Sequence, residues 1–598
     1  MPQLQLDAPR WDWCTMELAI HIALAVAVAL LGTVAAYCTK RFLGFLRQFI
    51  ILSRMPYPRN EPFFLGSALD MIQPKRMHLA LREWAEQLGG IYCFRITVFH
   101  VVVVVDAHLA SLVLGNGYKL SKALEPPLSD ELLSLKGHPT MFSASTDSEY
   151  WALLRKGTAP ALNPRNIRDA FPAILKVLEQ VISNVTAAGP GCEVDVNNLA
   201  MRFAMDVTGI FIFAKDFGTA RSFNDSNTDE LFVIMKHSLE ELMLRCVNPL
   251  RKFMVWDREV RHGTATFRAF RSAMVDLVKE VKARGEPAPG DATIAAHLLR
   301  LRDPATGQPL SDELLAGEFG MFFTAGLETS GNAISWTLYL LSQHPEVERK
   351  LAQELDAAGL LVTPERPHPR PMEFADLAAL PYLSWVSKEA MRVRPVASTG
   401  TSRVTKADMV IGGHLIPGNS FIVVPFDAVH HWAGNWPDQP HAFIPERWAA
   451  QGSELAAATG AGEPGSLTGT VTASVEVVGY GSPVKGAPSP GGKRMQQASP
   501  YSSPTKAAAE ASAAAGAAAA KRFMPFSLGP RQCLGQSLGR VMHDTAVARI
   551  VAAFHLDLAP RMGGAAGVDA AAINRLTLQP GDGMWMRCHP RSQLSAGC

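Results

Sequence analysis

The chain reads as mainly α with small β-sheets (α+β), behind an N-terminal transmembrane helix. Three observations carry this. Residues 312–342 form one long apolar helical pattern. Short strand-like pairs stand at 91–95 and 100–105, and again at 576–580 and 584–587. Residues 18–38 are almost continuously apolar, and about 20 such residues suffice to cross a bilayer as one helix.

Taken in order, residues 1–17 form a short lumenal segment and 18–38 the anchor. Only His21 and Thr33 interrupt the anchor. Asp7, Asp12 and Glu17 precede it, whereas Lys40, Arg41, Arg47 and Arg54 follow, so the positive-inside rule places the larger part in the cytosol. A cleaved secretory signal is the competing reading. The apolar core is longer than a usual signal core, and no clean small-residue cleavage site follows it. Residues 39–60 read as a basic, proline-rich juxtamembrane hinge ending in Arg54-Met55-Pro56-Tyr57-Pro58. Its apolar group 42–52 carries Arg47 and is expected to lie along the interface.

The catalytic domain spans 61–598, interrupted at 451–520 by a low-complexity insertion rich in Ala, Gly, Ser and Pro. Such a composition buries too little apolar surface to order itself. Residues 416–418, Ile-Pro-Gly, read as the turn of a small sheet. Apolar residues make up 48% of the chain, charged ones 19%, and the net charge is +2. That near-neutrality argues against a nucleic-acid partner. The cysteines, Cys14, Cys38, Cys93, Cys192, Cys246, Cys533, Cys588 and Cys598, show no CxxC spacing, so neither a zinc site nor a disulfide framework is indicated.

One cysteine sits in a distinctive loop, Phe526-Ser527-Leu528-Gly529-Pro530-Arg531-Gln532-Cys533-Leu534-Gly535. A thiol held as its anion needs positive partial charge nearby. Arg531 offers a full charge, and a helix starting near Gly535 would turn its positive end toward the sulfur. Gly529 and Gly535 would let the backbone turn tightly and present amides to it. Upstream, Glu389-Ala390-Met391-Arg392 places an acid and a base on one helix face, followed by Pro395 and later by Pro445-Glu446-Arg447-Trp448. Within the long helix stands Ala325-Gly326-Leu327-Glu328-Thr329-Ser330, where a Thr hydroxyl can bond its own preceding turn. Trp151-Ala152-Leu153-Leu154-Arg155 places Trp151 and Arg155 one turn apart.

These segments, in this order, resemble the cysteine loop, ExxR, PERF/PERW, (A/G)Gx(D/E)T(T/S) and WxxxR motifs of the cytochrome P450 family, over roughly 56–591 apart from the insertion. The resemblance implies the P450 fold, with haem b between the long distal helix and the cysteine loop. Cys533 would be the axial ligand of the haem iron and Phe526 an apolar lid over it. Trp151, Arg155, Arg403 and Arg531 would hold the haem and its propionates. Arg447 would join Glu389 and Arg392 in a structural network. Ala325, Gly326, Glu328 and Thr329 would form the catalytic segment, Gly326 thinning the helix where oxygen and substrate approach, Glu328 and Thr329 delivering protons.

The implied activity is a haem-thiolate monooxygenase that inserts one atom of O2 into a lipophilic substrate. Electrons would come from NADPH through a separate cytochrome P450 reductase, no flavin- or nicotinamide-binding domain remaining in the length available, with cytochrome b5 a candidate second donor. Lys156 and Arg540 would face that partner, and the insertion, with Lys485, Lys493, Arg494 and Lys506, would modulate its docking. An O2-independent isomerase or dehydratase acting on a peroxide is the alternative, and a noncatalytic haem- or sterol-binding membrane protein a third. Met141, Phe142, Phe322, Phe323 and 396–401 are candidate pocket residues. The expected location is the endoplasmic reticulum membrane, with a plastid membrane as alternative.

Overall fold

The computed structural model describes residues 13–58, 62, 64–73, 75–115, 117–122, 139–221, 230–248, 250–304, 306–449 and 522–593. The expected insertion, 451–520, lies outside the described residues.

Helix α1 (Trp13–Leu52) is continuous, so it passes straight through the boundary expected at residue 38. No proline stands between 39 and 52 to stop it, and the first comes at Pro56. Residues 21–52 are long and apolar enough to cross a membrane, and side chains from Ile22 to Tyr37 are exposed. The end of α1 packs on protein. Arg47 forms a two-point pair with Asp408, and Gln48 Nε2 donates to Ser420 Oγ at 3.2 Å. Phe49 meets the His100 ring edge-on at 4.8 Å, and Leu52 is fully buried.

Helix α2 (Met77–Leu88) leads into β1 (Ile91–Ile96) and β2 (Phe99–Val104), which pair antiparallel from Ile91↔Val104 to Ile96↔Phe99. Next come α3 (Glu149–Thr158), α4 (Pro164–Ala187), β3 (Cys192–Asp195), α5 (Val196–Phe213), α6 (Glu230–Val247), α7 (Arg258–Ala283) and α8 (Asp312–Gln343). After α9 (Pro381–Val393) follow β4 (Thr401–Val404), the β5 (Met409–Ile411) and β6 (His414–Ile416) hairpin, β7 (Phe421–Val424) and α10 (Phe426–His431). The β5–β6 hairpin turns at Gly412 and Gly413, both at positive φ, and the segment expected as a turn, 416–418, leads from β6 into a second turn before β7, where Ser420 N donates to Pro417 O. The principal sheet has strand order β1-β2-β7-β4.

The chain closes with α11 (Gln536–Ala553), β8 (Phe554–Leu558), β9 (Ala572–Asn574), β10 (Leu578–Pro580) and β11 (Trp585–Pro590). The two C-terminal strands do not form the hairpin their spacing suggests. Strand β10 pairs with β9, while β11 lies between β3 and β8.

Apolar residues collect in two cores, a large one among the helices and a smaller one around the principal sheet. Helix α8 crosses the larger core and is buried on nearly every face, which explains why its sequence lacks an amphipathic stripe. Ser311 caps it, accepting from Leu314 N, and Asp312 and Glu313 complement its N-terminal dipole. Helix α5 is its closest neighbour. A Cβ at Gly326 would stand 2.8 Å from Thr208 Oγ1 of α5, and one at Gly331 2.7 Å from Met201 Sδ. These glycines set the approach of the two helices.

Candidate functional site: a thiol facing the long helix

The loop before α11 is shaped by two residues at positive φ, Ser527 (62°) and Gly529 (72°). Glycine is required at 529, where a Cβ would lie 2.5 Å from the Leu114 carbonyl oxygen. Gly535 differs from expectation. Its φ is −84° and open space surrounds its missing Cβ, so no tight turn demands glycine there.

Cys533 N donates to Phe526 O at 2.8 Å, which folds the loop back on itself. The Cys533 residue is accessible, yet its sulfur is crowded by protein that pushes the thiol pKa up. Two features pull the pKa back, the Gly535 amide and the charge of Arg155. Helix α11 begins directly beyond. Arg531, expected to supply that charge, is committed elsewhere. Its guanidinium lies over the Trp151 ring, 4.4 Å from the centroid, and donates to Thr146 Oγ1 and to the carbonyls of Met141 and Ala144. The Phe526 ring is half-buried beside Gly539 on α11.

Arg403 is buried in β4 and donates to Ser402 O at 2.8 Å and, more weakly, to Thr401 Oγ1 and Leu114 O. Lys122 joins this group without any motif having announced it. It is buried, its ammonium 3.7 Å from the Phe142 ring centroid. Burial, aided by Arg531 and Arg403, lowers the Lys122 pKa to about 7. Burial lowers Arg531 to about 9, helped by Arg403 and Arg155, and Arg403 to about 10. Among the described residues no carboxylate forms an ion pair with Lys122, Arg403 or Arg531. The nearby Asp147 is already paired with Lys406 at 2.7 Å. Mutually repelling buried cations are costly unless an anion joins them.

Helix α8 supplies another wall. Ala325 is exposed in the middle of a helix otherwise almost wholly buried, and Thr329, one turn on, is half-buried. Both therefore border an internal space. The Thr329 hydroxyl donates to Ala325 O at 2.7 Å. Gly326 points elsewhere, toward Thr208, so its small size serves helix packing rather than thinning the wall. Glu328 also diverges from Thr329, as consecutive helical residues must. It is 4% exposed, and burial raises its pKa to about 7 against the opposing pull of Thr577 and Arg575. Of the candidate pocket residues, Phe323 packs against Phe213 and Phe217 in the core, and Phe322 is buried.

The acid–base network forms as expected. Arg392 Nη2 and Nε donate to Glu389 at 2.8 and 3.0 Å, and Arg447 Nε donates to Glu389 Oε1 at 2.8 Å. Glu389 also accepts from Ile444 N and from the Trp448 indole at 2.9 Å. The remaining Arg392 donors reach the carbonyls of His430, Pro440 and Ala442. Every charge in this buried cluster is met.

An accessible thiol, a group of buried cations without ion-pair partners among the described residues and the exposed Ala325–Thr329 turn of α8 fit a dianionic macrocycle carrying a thiolate-ligated metal. The family model described as Cytochrome P450 matches residues 55–456 and 513–565. The cytochrome P450 monooxygenase sphH of Aspergillus fumigatus is 24% identical over 423 residues, covering 68% of this chain and 75% of that protein. Mouse (Mus musculus) cytochrome P450 3A13 is 25% identical over 315 residues, 52% of this chain and 61% of its own length. The bifunctional cytochrome P450/NADPH–P450 reductase 1 of Bacillus subtilis is 25% identical over 399 residues, 66% of this chain but 36% of that longer protein.

Proposed function

This chain belongs to the cytochrome P450 family, and on that footing we propose that it is a haem-thiolate monooxygenase inserting one atom of O2 into a lipophilic substrate between Cys533 and α8. The observation that carries the reading is the pairing of a thiol polarised by Gly535 N–H and Arg155 with a buried, uncompensated cation group, Lys122, Arg403 and Arg531. Haem b is the cofactor of this family, and when bound with a thiolate ligand it supplies reductive O–O cleavage.

The residues of the chain then divide the work. Arg155 and the Gly535 amide oppose the burial that raises the Cys533 pKa, and would help hold the sulfur as its anion beneath a bound haem. Lys122, Arg403 and Arg531 would balance the propionate charge of a bound haem, with Trp151 holding the Arg531 plane in place. The Thr329 hydroxyl, bonded to Ala325 O, is the polar group of the exposed turn of α8 and would be placed to order water there. Glu328 is a buried acid with a pKa near neutrality, suited to taking and giving protons.

Electrons would reach the site from NADPH through a separate reductase, with Lys156 and Arg540 among the cations meeting it. Some relatives carry the reductase in the same chain, so the arrangement is tested by supplying a purified reductase. We place the protein in the endoplasmic reticulum membrane, with α1 as anchor and the body cytosolic. The decisive experiment reduces the purified protein under carbon monoxide. A strongly red-shifted Soret band, lost in Cys533→Ser with haem still bound, is the expected result. Its absence from natively folded, haem-loaded protein overturns the proposal.

A further inference from the structure

Strands β3 and β11 set two thiols opposite each other. Their antiparallel register pairs Trp585 with Asp195, Met586 with Val194, Arg587 with Glu193 and Cys588 with Cys192. Residues directly opposed in such a pair project from the same face, with Cβ atoms about 4.5–5.5 Å apart. The neighbours show which face this is. Val194 and Met586, two residues along each strand, are buried in the larger core, whereas Arg587 Nη2 donates to Glu193 Oε1 at 3.3 Å on the other face. Cys588 is accordingly 3% exposed within that core, and Cys192 packs half-buried against it. Both are free thiols, and among the described residues no other two cysteines are strand partners.

Opposed Cα atoms of an antiparallel pair stand about 4.5–5.5 Å apart, within the roughly 4.4–6.8 Å that a disulfide spans. A disulfide also wants its Cβ atoms about 3.5–4.5 Å apart, so one strand must yield by up to about 1 Å. The start of β3 is built to do so. Cys192 is its first residue, and its N–H donates back to Gly189 O at 3.3 Å, while the bond across to Cys588 O comes from Gly191 N at 2.8 Å. Gly189 and Gly191 both stand at positive φ, 96° and 69°, and nothing lies within 4 Å of where a Cβ at Gly189 would be. The turn entering β3 therefore has room and backbone freedom to shift. The Cys192 Sγ reaches only Glu193 O, at 3.8 Å, so no strong hydrogen bond holds it. Burial, aided by the nearness of Cys192, pushes the Cys588 thiol up to about 12, which makes it a poor nucleophile toward reagents in solution. Cys192, the more accessible, is the one to react first.

We propose that Cys192 and Cys588 form an oxidative modification site, a thiol pair that a small-molecule disulfide converts into a cross-strand disulfide. The Cys192 thiolate attacks one sulfur of the reagent, whose S–S bond breaks and releases a thiolate. The Cys588 sulfur then attacks the Cys192 sulfur of this mixed disulfide, and the second thiolate leaves. The protein's two thiols are oxidised, the reagent is reduced to two thiols, and the protons of Cys192 and Cys588 pass to the leaving thiolates. The bond joins positions about 400 residues apart in sequence, so it removes much freedom from the unfolded chain. It closes the ladder at the end opposite Asp195, which caps α5 and accepts from Met584 N at 2.9 Å. Oxidation thus fixes the strand that leads into α5 to the C-terminal strand at both ends.

The test treats the haem-loaded full chain with glutathione disulfide, blocks the remaining thiols with N-ethylmaleimide and maps the digest by mass spectrometry. A linked pair of peptides carrying Cys192 and Cys588 is expected in most molecules, reversed by dithiothreitol and lost in Cys192→Ser. The linked form should melt about 2–5 °C above the reduced form, a rise that Cys192→Ser treated alike does not show. Cys192 is half-buried at a strand end, so this variant keeps the fold. Glutathione left on Cys192 beside a free Cys588, no reaction at either thiol of natively folded protein, or a link from either to another cysteine overturns the proposal. So does a linked form that melts no higher than the reduced one, since a pair placed for the bond is not distorted by it.

Discussion

The Arg531 guanidinium stacks over the Trp151 indole, 4.4 Å from the ring centroid, and so ties the cysteine loop to helix α3. Two motifs nearly four hundred residues apart thus hold one cation in place. Trp151→Ala should free Arg531 and weaken haem retention severalfold, consistent with the loss of about 1–2 kcal/mol from a desolvated cation–π contact. Trp151→Phe should retain most of it. Haem content after gel filtration under mild denaturant measures the difference.

Removing the haem should create a pH dependence of stability that the loaded protein lacks. Lys122 titrates at about 7 in the folded chain against an ordinary value of 10.5. Between those values the unfolded chain binds more protons, so stability rises with pH there, by at most about 1.4 kcal/mol per unit. Below about pH 7 both states are protonated and the cost of burying the cation is fully present. Denaturant titrations of apo protein at several pH values should show this rise. Lys122→Met should flatten it, as should haem.

Glu389 gathers Arg392, Arg447, Ile444 N and the Trp448 indole. Glu389→Gln strands two guanidinium groups and should cost about 3–5 kcal/mol, enough to prevent recovery of folded protein. Trp448→Phe removes one hydrogen bond and should cost about 1–2 kcal/mol. Thermal melts of the two variants check the ratio.

Thr329→Ala deletes the only hydroxyl on the exposed turn between Ala325 and Thr329 and should leave the carbon monoxide spectrum intact. Product formed per NADPH consumed should fall about tenfold, with peroxide making up the loss. An unchanged yield would remove Thr329 from proton handling.

The attachment of α1 to the sheet should rest on packing rather than charge. Arg47 and Asp408 are both largely exposed, so Arg47→Ala should leave stability nearly unchanged. Leu52 is fully buried, and Leu52→Ala should cost about 2–5 kcal/mol. Limited proteolysis near residue 55 should accelerate only in the second variant.

What could be read beforehand follows the range of the physics involved. The cysteine loop, the Glu389–Arg392 pair and the Thr329 back-bond depend on neighbours within a few residues, so their chemistry shows in the chain itself. Trp448 was within reach too, since it completes the segment that holds Arg447. Gly326 was misread because its partner, Thr208, lies on another helix. Lys122 gave no signal: its importance comes from Arg403 and Arg531, brought to it by the fold. The strands at 576–580 and 584–587 looked like partners because they are adjacent. Their actual neighbours, β9 and β3 with β8, require the chain to have closed first.

With α1 as the proposed anchor, its unbroken course would make the catalytic body a rigid extension of that anchor. Each residue added near position 40 would lift that body about 1.5 Å and swing it about 100° around the helix axis, so three or four additions nearly restore the original heading. On that reading the face of the body carrying the site would have an angular setting relative to the lipid surface, written in helical phase.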